Sequence, residues 1–104
     1  MIRVRYRTAD DLLTGFTLSG HAGAGDHGQD IVCAAVSSAA YMTANTITEI
    51  LGATADITVD DGYMDLTVTD RIPGCQDILS GFRLHLQALQ EQYPTRIHLM
   101  NTEV

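Results

Sequence analysis

The chain places a histidine directly before a glycine-rich segment and a cysteine directly after it. They are His21 and Cys33, and the four glycines between positions 20 and 28 exclude a regular element there. Helical spacing begins at Ile31 with Asp30 as the N-cap, so Cys33 falls in the first helical turn, where unsatisfied N–H groups and the helix dipole favour a thiolate. His21 lies at the end of the preceding strand, and a strand–loop–helix connection can bring its imidazole close to Cys33. The imidazole could then take the proton of the thiol. The spacing therefore predicts a nucleophile and a base for acyl transfer, with helix-terminal N–H groups available for the oxyanion.

The same residues allow other interpretations. Cys33 could be an ordinary core residue of a buried helix, with His21 an ordinary loop residue. A metal site could use His21, His27 and Cys33 with Asp26 or Asp30, but the spacings match none of the common zinc patterns. The glycine-rich segment and the helix N-terminus could also bind phosphate. However, the segment lacks the GK[ST] ending of a P-loop, and Asp26 and Asp30 would repel an anion. We predict neither a metal nor a cofactor.

Three further residues near this pair have weaker signals. Asp30 has a structural task as the N-cap, although a carboxylate there could also orient His21. Ser37 lies one turn after Cys33 on the same helix face, so it could line the same pocket or simply allow close packing. Cys75 follows a Pro-Gly connector with no histidine near it in the sequence, and we assign it no role. Two cysteines are too few for a disulfide framework.

Two strand pairs, two helices and a last strand should position these groups. Ile2, Val4 and Tyr6 alternate with three arginines, which we interpret as the charged face of an edge strand. Alternating apolar residues predict five strands, at 2–7, 15–19, 57–59, 64–68 and 97–99. Polar and glycine-containing segments predict turns at 8–11 and 60–62.

Helical spacing predicts one helix over 31–51, ended by Gly52, and a second over 77–93, ended by Pro94. The predicted order is ββαββαβ. Two helices packed on one face of a mainly antiparallel sheet would bury every apolar stripe. We therefore expect a two-layer α+β fold, forming a single domain over residues 1–104.

The acidic composition of the chain limits which classes of molecule it can bind. Six basic against thirteen acidic residues give a net charge of −7, which argues against nucleic acid or an anionic membrane as the main partner. No apolar run approaches the roughly 20 residues that span a bilayer, and the first residues lack a signal-peptide core. We expect a soluble, cytoplasmic protein whose acidic charge is compatible with a basic partner.

The segment around the two candidate residues resembles a known family. Gly20-His21-Ala22, a glycine-containing loop, and then Gly28-Gln29-Asp30-Ile31-Val32-Cys33-Ala34-Ala35-Val36-Ser37 are similar to the signature of the ribosomal-processing cysteine protease family, Prp. Most of the chain takes part in the resemblance, including both strand pairs and the helix that ends at Tyr93-Pro94. The length of this pattern makes the resemblance specific.

The resemblance implies a homodimeric cysteine endopeptidase with Cys33 as nucleophile and His21 as base. It also implies a substrate, the basic large-subunit ribosomal protein L-twenty-seven, whose N-terminal extension such proteins remove. A rival hypothesis is a non-catalytic ribosome-assembly binding protein of the same fold.

The glycine-rich loop of the family is expected to close over the substrate. Gly20, Ala22, Gly23, Gly25 and Gly28 would form this loop here, with Gly20 as a candidate hinge. The chain departs from the family at Ala24 and His27, where aromatic residues are common. That departure concerns substrate preference and loop packing, not the His–Cys pair.

Overall fold

The computed structural model describes residues 1–21 and 31–103. Across these residues it contains β1 (Ile2–Ala9), β2 (Leu12–Ser19), α1 (Ile31–Asn45), β3 (Ala55–Asp60), β4 (Tyr63–Val68), α2 (Gln76–Gln92) and β5 (Ile97–Glu103). A π-helical turn, Thr46–Ile50, continues α1, and a short 3-10 helix, Ile72–Cys75, precedes α2. The predicted ββαββαβ order and α+β class are confirmed.

The strands form one sheet in the order β3-β4-β2-β1-β5. All neighbouring pairs are antiparallel except β1 and β5, which run parallel. The interpretation of β1 as an edge strand is wrong, because β1 is flanked by β2 and β5 and the edges are β3 and β5. The alternation of Ile2, Val4 and Tyr6 shows only that one face of β1 is buried, and an interior strand with one open face has the same pattern.

The arginine at the end of that alternation is a structural residue. Arg7 is half-buried, and its Nη2 donates to the Leu66 carbonyl oxygen and to Thr67 Oγ1, both at 2.8 Å. Its Nη1 lies 3.0 Å from Asp65 Oδ1. The guanidinium passes over Gly15 in β2, where a Cβ would overlap the Leu66 carbonyl oxygen. Arg7 therefore links β1 to β4 across an intervening strand.

The first turn is tighter than predicted. β1 continues to Ala9 and β2 starts at Leu12, so only Asp10 and Asp11 remain between them, with φ values of 52° and 64°. Short polar side chains tolerate this left-handed conformation, which suits a two-residue hairpin. A register irregularity between Arg7 and Thr8 interrupts the period-two pattern, and this explains why the strand ends were missed in the sequence.

Both helices bury one face on the same side of the sheet. The buried residues of α1 are mostly small or β-branched, and those of α2 are large: Val32, Val36, Ala40, Thr43 and Ala44, against Leu79, Phe82 and Leu86. The ring of Phe82 packs against that of Phe16, with 4.4 Å between the ring centroids, and edge-on against that of Tyr6, with 6.4 Å between the centroids. The core therefore lies between the helices and β1, β2, β4 and the start of β5, and β3 is left at the margin.

The first helix ends differently from its prediction. Its α-helical part stops at Asn45, and the hydroxyls of Thr43, Thr46 and Thr48 each donate to the carbonyl four residues earlier, at 2.8–3.1 Å. Hydroxyl donors that compete for helix carbonyls commonly accompany such irregular turns. Gly52 has a φ of +66°, as its predicted role at the helix end requires.

The helical run Ile31–Ile50 also corrects an expectation about apolar length. Its 20 residues and mean hydropathy of 1.2 are enough, by length and composition, for a helix that crosses a membrane. The sequence-based statement that no apolar run approaches this length is therefore wrong. In this fold the run is the helix whose residues Val32, Val36, Ala40, Ala44 and Ile47 are buried in the core.

Candidate active site

His21 and Cys33 line the same cavity. It has a volume of about 180 Å³ and lies where the ends of β2 and β4 meet the first turns of α1. Leu18, Val36 and Met64 give it an apolar wall, and Tyr41 and Tyr63 stand at its margin, both substantially exposed. The structure thus brings together two residues that the sequence separates by the glycine-rich segment.

Backbone geometry at the end of β2 places His21. The preceding residue, Gly20, has a φ of +93°, and its N–H donates to the Gly62 carbonyl oxygen at 2.9 Å. A Cβ on Gly20 would overlap the Met1 carbonyl oxygen, so the bend needs glycine for both conformation and space. The Met1 nitrogen donates to the His21 carbonyl oxygen at 2.5 Å. These contacts anchor the His21 backbone, while its side chain remains exposed. A hinge at Gly20 stays a prediction.

The imidazole of His21 lies against the turn between β3 and β4. A Cβ built on Gly62 would stand 2.7 Å from His21 Nε2 and 3.3 Å from Cε1. Gly62 also has a φ of +65°, in the left-handed region that favours glycine. The turn therefore lies directly beside the histidine ring, and a Cβ at position 62 would require the ring to shift from this position.

Cys33 is the third residue of α1, as the helical spacing predicts. Its side chain is half-buried and packs against the core, with part of its surface lining the cavity. The first turn of a helix carries backbone N–H groups without intrahelical acceptors, and these stabilise negative charge. The position suits a thiolate and, after attack, an oxyanion. Ser37, one turn later, is exposed and lines the same cavity.

The other cysteine has a different environment. Cys75 is completely buried, and neither cysteine forms a disulfide. Burial, and secondarily the negative charge of Asp70, raises the pKa of the Cys75 thiol. It therefore stays protonated and inaccessible at neutral pH.

Several predicted site residues lie outside the part of the chain that the structure describes. They are Ala22, Gly23, Ala24, Gly25, Asp26, His27, Gly28 and Asp30. Within residues 1–21 and 31–103, no three His, Cys, Asp or Glu side chains come together as a group that could hold a metal ion. The metal alternative depends on residues beyond those ranges.

Sequence reasoning missed the contribution of the β3–β4 hairpin. Gly62, Tyr63 and Met64 all line the cavity, and so does Tyr41 from the third turn of α1. The Asp61-Gly62 pair signals a turn, but no local pattern indicates that this turn lies beside His21. The turn and His21 come together because Ser19 of β2 pairs with Tyr63 of β4.

A thiol at a helix N-terminus and an imidazole on the wall of one partly apolar cavity are the groups of a cysteine hydrolase. The family model described as cysteine protease Prp matches residues 1–98. The chain therefore belongs to the cysteine protease Prp family, whose named members act in ribosomal processing, and it is a cysteine protease by that membership.

Individual relatives agree with this assignment. The ribosomal processing cysteine protease Prp of Staphylococcus aureus is 32% identical over 90 residues, which cover 84% of this chain and 85% of that protein. The Bacillus subtilis protein of the same name is 25% identical over 100 residues, 89% of each. The crystal structure of S. aureus Prp with a covalently linked product peptide has a TM-score of 0.91 at 31% identity, covering 98% of this chain and 100% of that one.

Proposed function

We propose that this protein is an endopeptidase that removes the N-terminal extension of ribosomal protein L-twenty-seven, with Cys33 as nucleophile and His21 as general base. One observation carries the proposal: the two residues line the same cavity, and the thiol lies in the first turn of a helix. The S. aureus relative supports it as well, because that protein has been crystallised with a substrate peptide and with a covalently linked product peptide.

The proposed reaction has two steps. His21 takes the proton of the Cys33 thiol, and the thiolate sulfur attacks the carbonyl carbon of the scissile peptide bond. N–H groups of the first turn of α1 stabilise the oxyanion. The C–N bond breaks, and His21 gives its proton to the leaving amine. His21 then removes a proton from water, and the resulting hydroxide attacks the thioester carbonyl. The C–S bond breaks, the Cys33 sulfur takes the proton back from His21, and the new carboxylic acid leaves and loses its own proton to solvent.

The substrate and the setting are part of the same proposal. A net charge of −7 favours a basic ribosomal protein as substrate. We propose that the protein acts in the cytoplasm as a homodimer, since a small single core gains stability when two copies pair. Light scattering of the purified protein would measure the oligomeric state directly.

The cleavage assay uses an L-twenty-seven precursor that carries its extension, analysed by mass spectrometry. Cys33→Ala and His21→Ala should each abolish cleavage. The matched controls Cys75→Ala and His98→Ala should cleave normally, because Cys75 is buried away from the cavity and His98 is exposed on β5. Cleavage by Cys33→Ala at the wild-type rate would refute the mechanism. A precursor left intact by the wild-type protein would favour the rival binding protein.

Alkylation separates the two thiols without a substrate. Iodoacetamide should modify Cys33 in the folded protein and Cys75 only after unfolding, because burial raises the pKa of Cys75 and shields it. Equal, slow modification of both thiols would contradict activation of Cys33.

A further inference from the structure

The strand β3 lies at one edge of the sheet and is exposed to solvent. It is the terminal strand and pairs with β4. Every residue from Asp56 to Asp60 is exposed, on both faces of the strand. Within the described part of the chain, neither helix covers it. Exposed edge strands present backbone N–H and C=O groups that can pair with another extended chain.

Side chains of different character alternate along this edge. Ile57 and Val59 are 41% and 49% exposed, and they lie opposite the buried residues Leu66 and Met64, on the face that the helices cover elsewhere. Asp56 and Asp60 point to the opposite face of the sheet. Two apolar side chains on one face and two carboxylates on the other define the β3 edge.

The β3 edge is continuous with the cavity that contains Cys33. Val59 pairs with Met64 and Asp60 with Tyr63, and both partners line that cavity. An extended chain paired along β3 would therefore have one end at the cavity margin. A peptide bound to a protease in this way is held by main-chain hydrogen bonds and selected by alternate side chains.

We propose that the β3 edge binds the substrate polypeptide as an added strand in which apolar and basic residues alternate. The inference rests on the proposed protease function and names the substrate chemistry that would be recognised beside the site. Apolar side chains of the added strand cover Ile57 and Val59, and its Lys or Arg side chains lie near Asp56 and Asp60.

Charge decides between a basic peptide and a second copy of this chain. An antiparallel pairing of two β3 edges centred on Thr58 would place Asp56 of each copy opposite Asp60 of the other. Like charges directly opposite one another destabilise a strand pair. A basic partner removes this repulsion, and so the edge favours a basic peptide over self-pairing.

The test measures binding to the Cys33→Ala protein, so that no peptide is cleaved. Three capped six-residue probes are titrated by calorimetry at low salt: one alternating Val with Lys, one alternating Val with Glu, and one of scrambled Val and Lys. The Val/Lys probe should bind about five- to tenfold more tightly than the others. Exchanging Asp56→Lys and Asp60→Lys together should reverse the preference toward the Val/Glu probe. The control, Asp10→Asn with Asp11→Asn, removes two charges from the β1–β2 turn and should leave it unchanged.

Backbone methylation tests the added strand itself. Methylating the amide nitrogens of alternate residues of the Val/Lys probe should abolish binding in one register and spare it in the other, because only every second N–H of an added strand faces β3. Equal binding of the three probes, or equal effects of methylation in both registers, would overturn the proposal.

Cleavage kinetics keep the two proposals separate. If the precursor is cleaved and the double Lys variant has an unchanged KM, the protease stands and the edge proposal fails. If the probes bind as expected but the precursor stays intact, the edge proposal stands and the cleavage proposal fails.

Discussion

Replacing Gly62 by alanine tests whether the turn beside His21 positions the histidine ring. Gly52 provides a matched control, because its φ of +66° is almost the same as the +65° of Gly62. Alanine in this left-handed region costs about 1–2 kcal/mol. Gly62→Ala and Gly52→Ala should therefore lose similar free energies of unfolding, and backbone strain alone cannot separate them.

The two sites differ in what the new methyl group meets. At position 52 the new Cβ would have Arg71 Nη1 as its nearest non-adjacent neighbour, at an ordinary contact distance of 3.9 Å, whereas at position 62 that neighbour would be His21 Nε2 at 2.7 Å. The imidazole must move by roughly 0.7 Å to reach even a close contact of 3.4 Å. Because the ring is exposed, it can move without unfolding the protein. Misplacing a catalytic group by about 1 Å can lower a rate about 100-fold.

We therefore expect kcat/KM for precursor cleavage to fall by about 30- to 100-fold in Gly62→Ala and to remain near the wild-type value in Gly52→Ala. Urea denaturation of both variants measures the shared loss of stability, and a continuous fluorogenic peptide assay measures the rates. Full activity in Gly62→Ala, or an equal loss in both variants at temperatures where both are folded, would refute the argument that Gly62 makes room for a catalytic His21.

Two further predictions concern contacts that hold the sheet. Arg7→Met should lower the free energy of unfolding by about 2 kcal/mol, since it leaves the Leu66 carbonyl and Thr67 hydroxyl without their charged donor; a urea midpoint equal to that of the wild type would contradict this. Hydrogen bonds from the Thr54 backbone N–H and hydroxyl lower the pKa of the Asp70 carboxyl in the folded protein. The ionised carboxylate therefore stabilises the fold at any pH above the pKa that Asp70 has in the unfolded chain. This stabilisation is lost as the pH falls through the lower pKa of the folded protein. Asp70→Asn should therefore be less stable than the wild type at pH 7 and equally stable in strong acid, as thermal melts across pH would show; a difference that does not change with pH would count against the linkage.

Local patterns predicted the elements and the candidate residues. Helical spacing after Asp30 puts Cys33 in the first turn of α1, where the structure also has it. The period-two alternation of Ile2, Val4 and Tyr6 indicates a strand with one buried face, and Gly52 ends the helical run with the expected positive φ. Each of these features depends on residues within one or two turns of each other, so a single sequence contains the necessary signal.

The wrong interpretation of β1 as an edge strand has a different cause. The place of β1 inside the sheet depends on β5, whose Ile97 pairs with Ile2 from the other end of the chain. The partners of Arg7 lie in β4, about 60 positions away. No periodicity in one strand indicates which other strand will lie beside it, because many strand orders bury the same apolar faces.

The amino-acid sequence alone is enough to single out His21 and Cys33, because a histidine before a glycine-rich segment and a cysteine after a helix cap are local chemical signals. It also shows the acidic charge and the order of the elements. Only the folded chain places the β3–β4 turn against the histidine ring and leaves the alternating acidic and apolar residues of β3 exposed. These features arise from pairing between distant strands, whose stability depends on the whole packed core and not on any one segment.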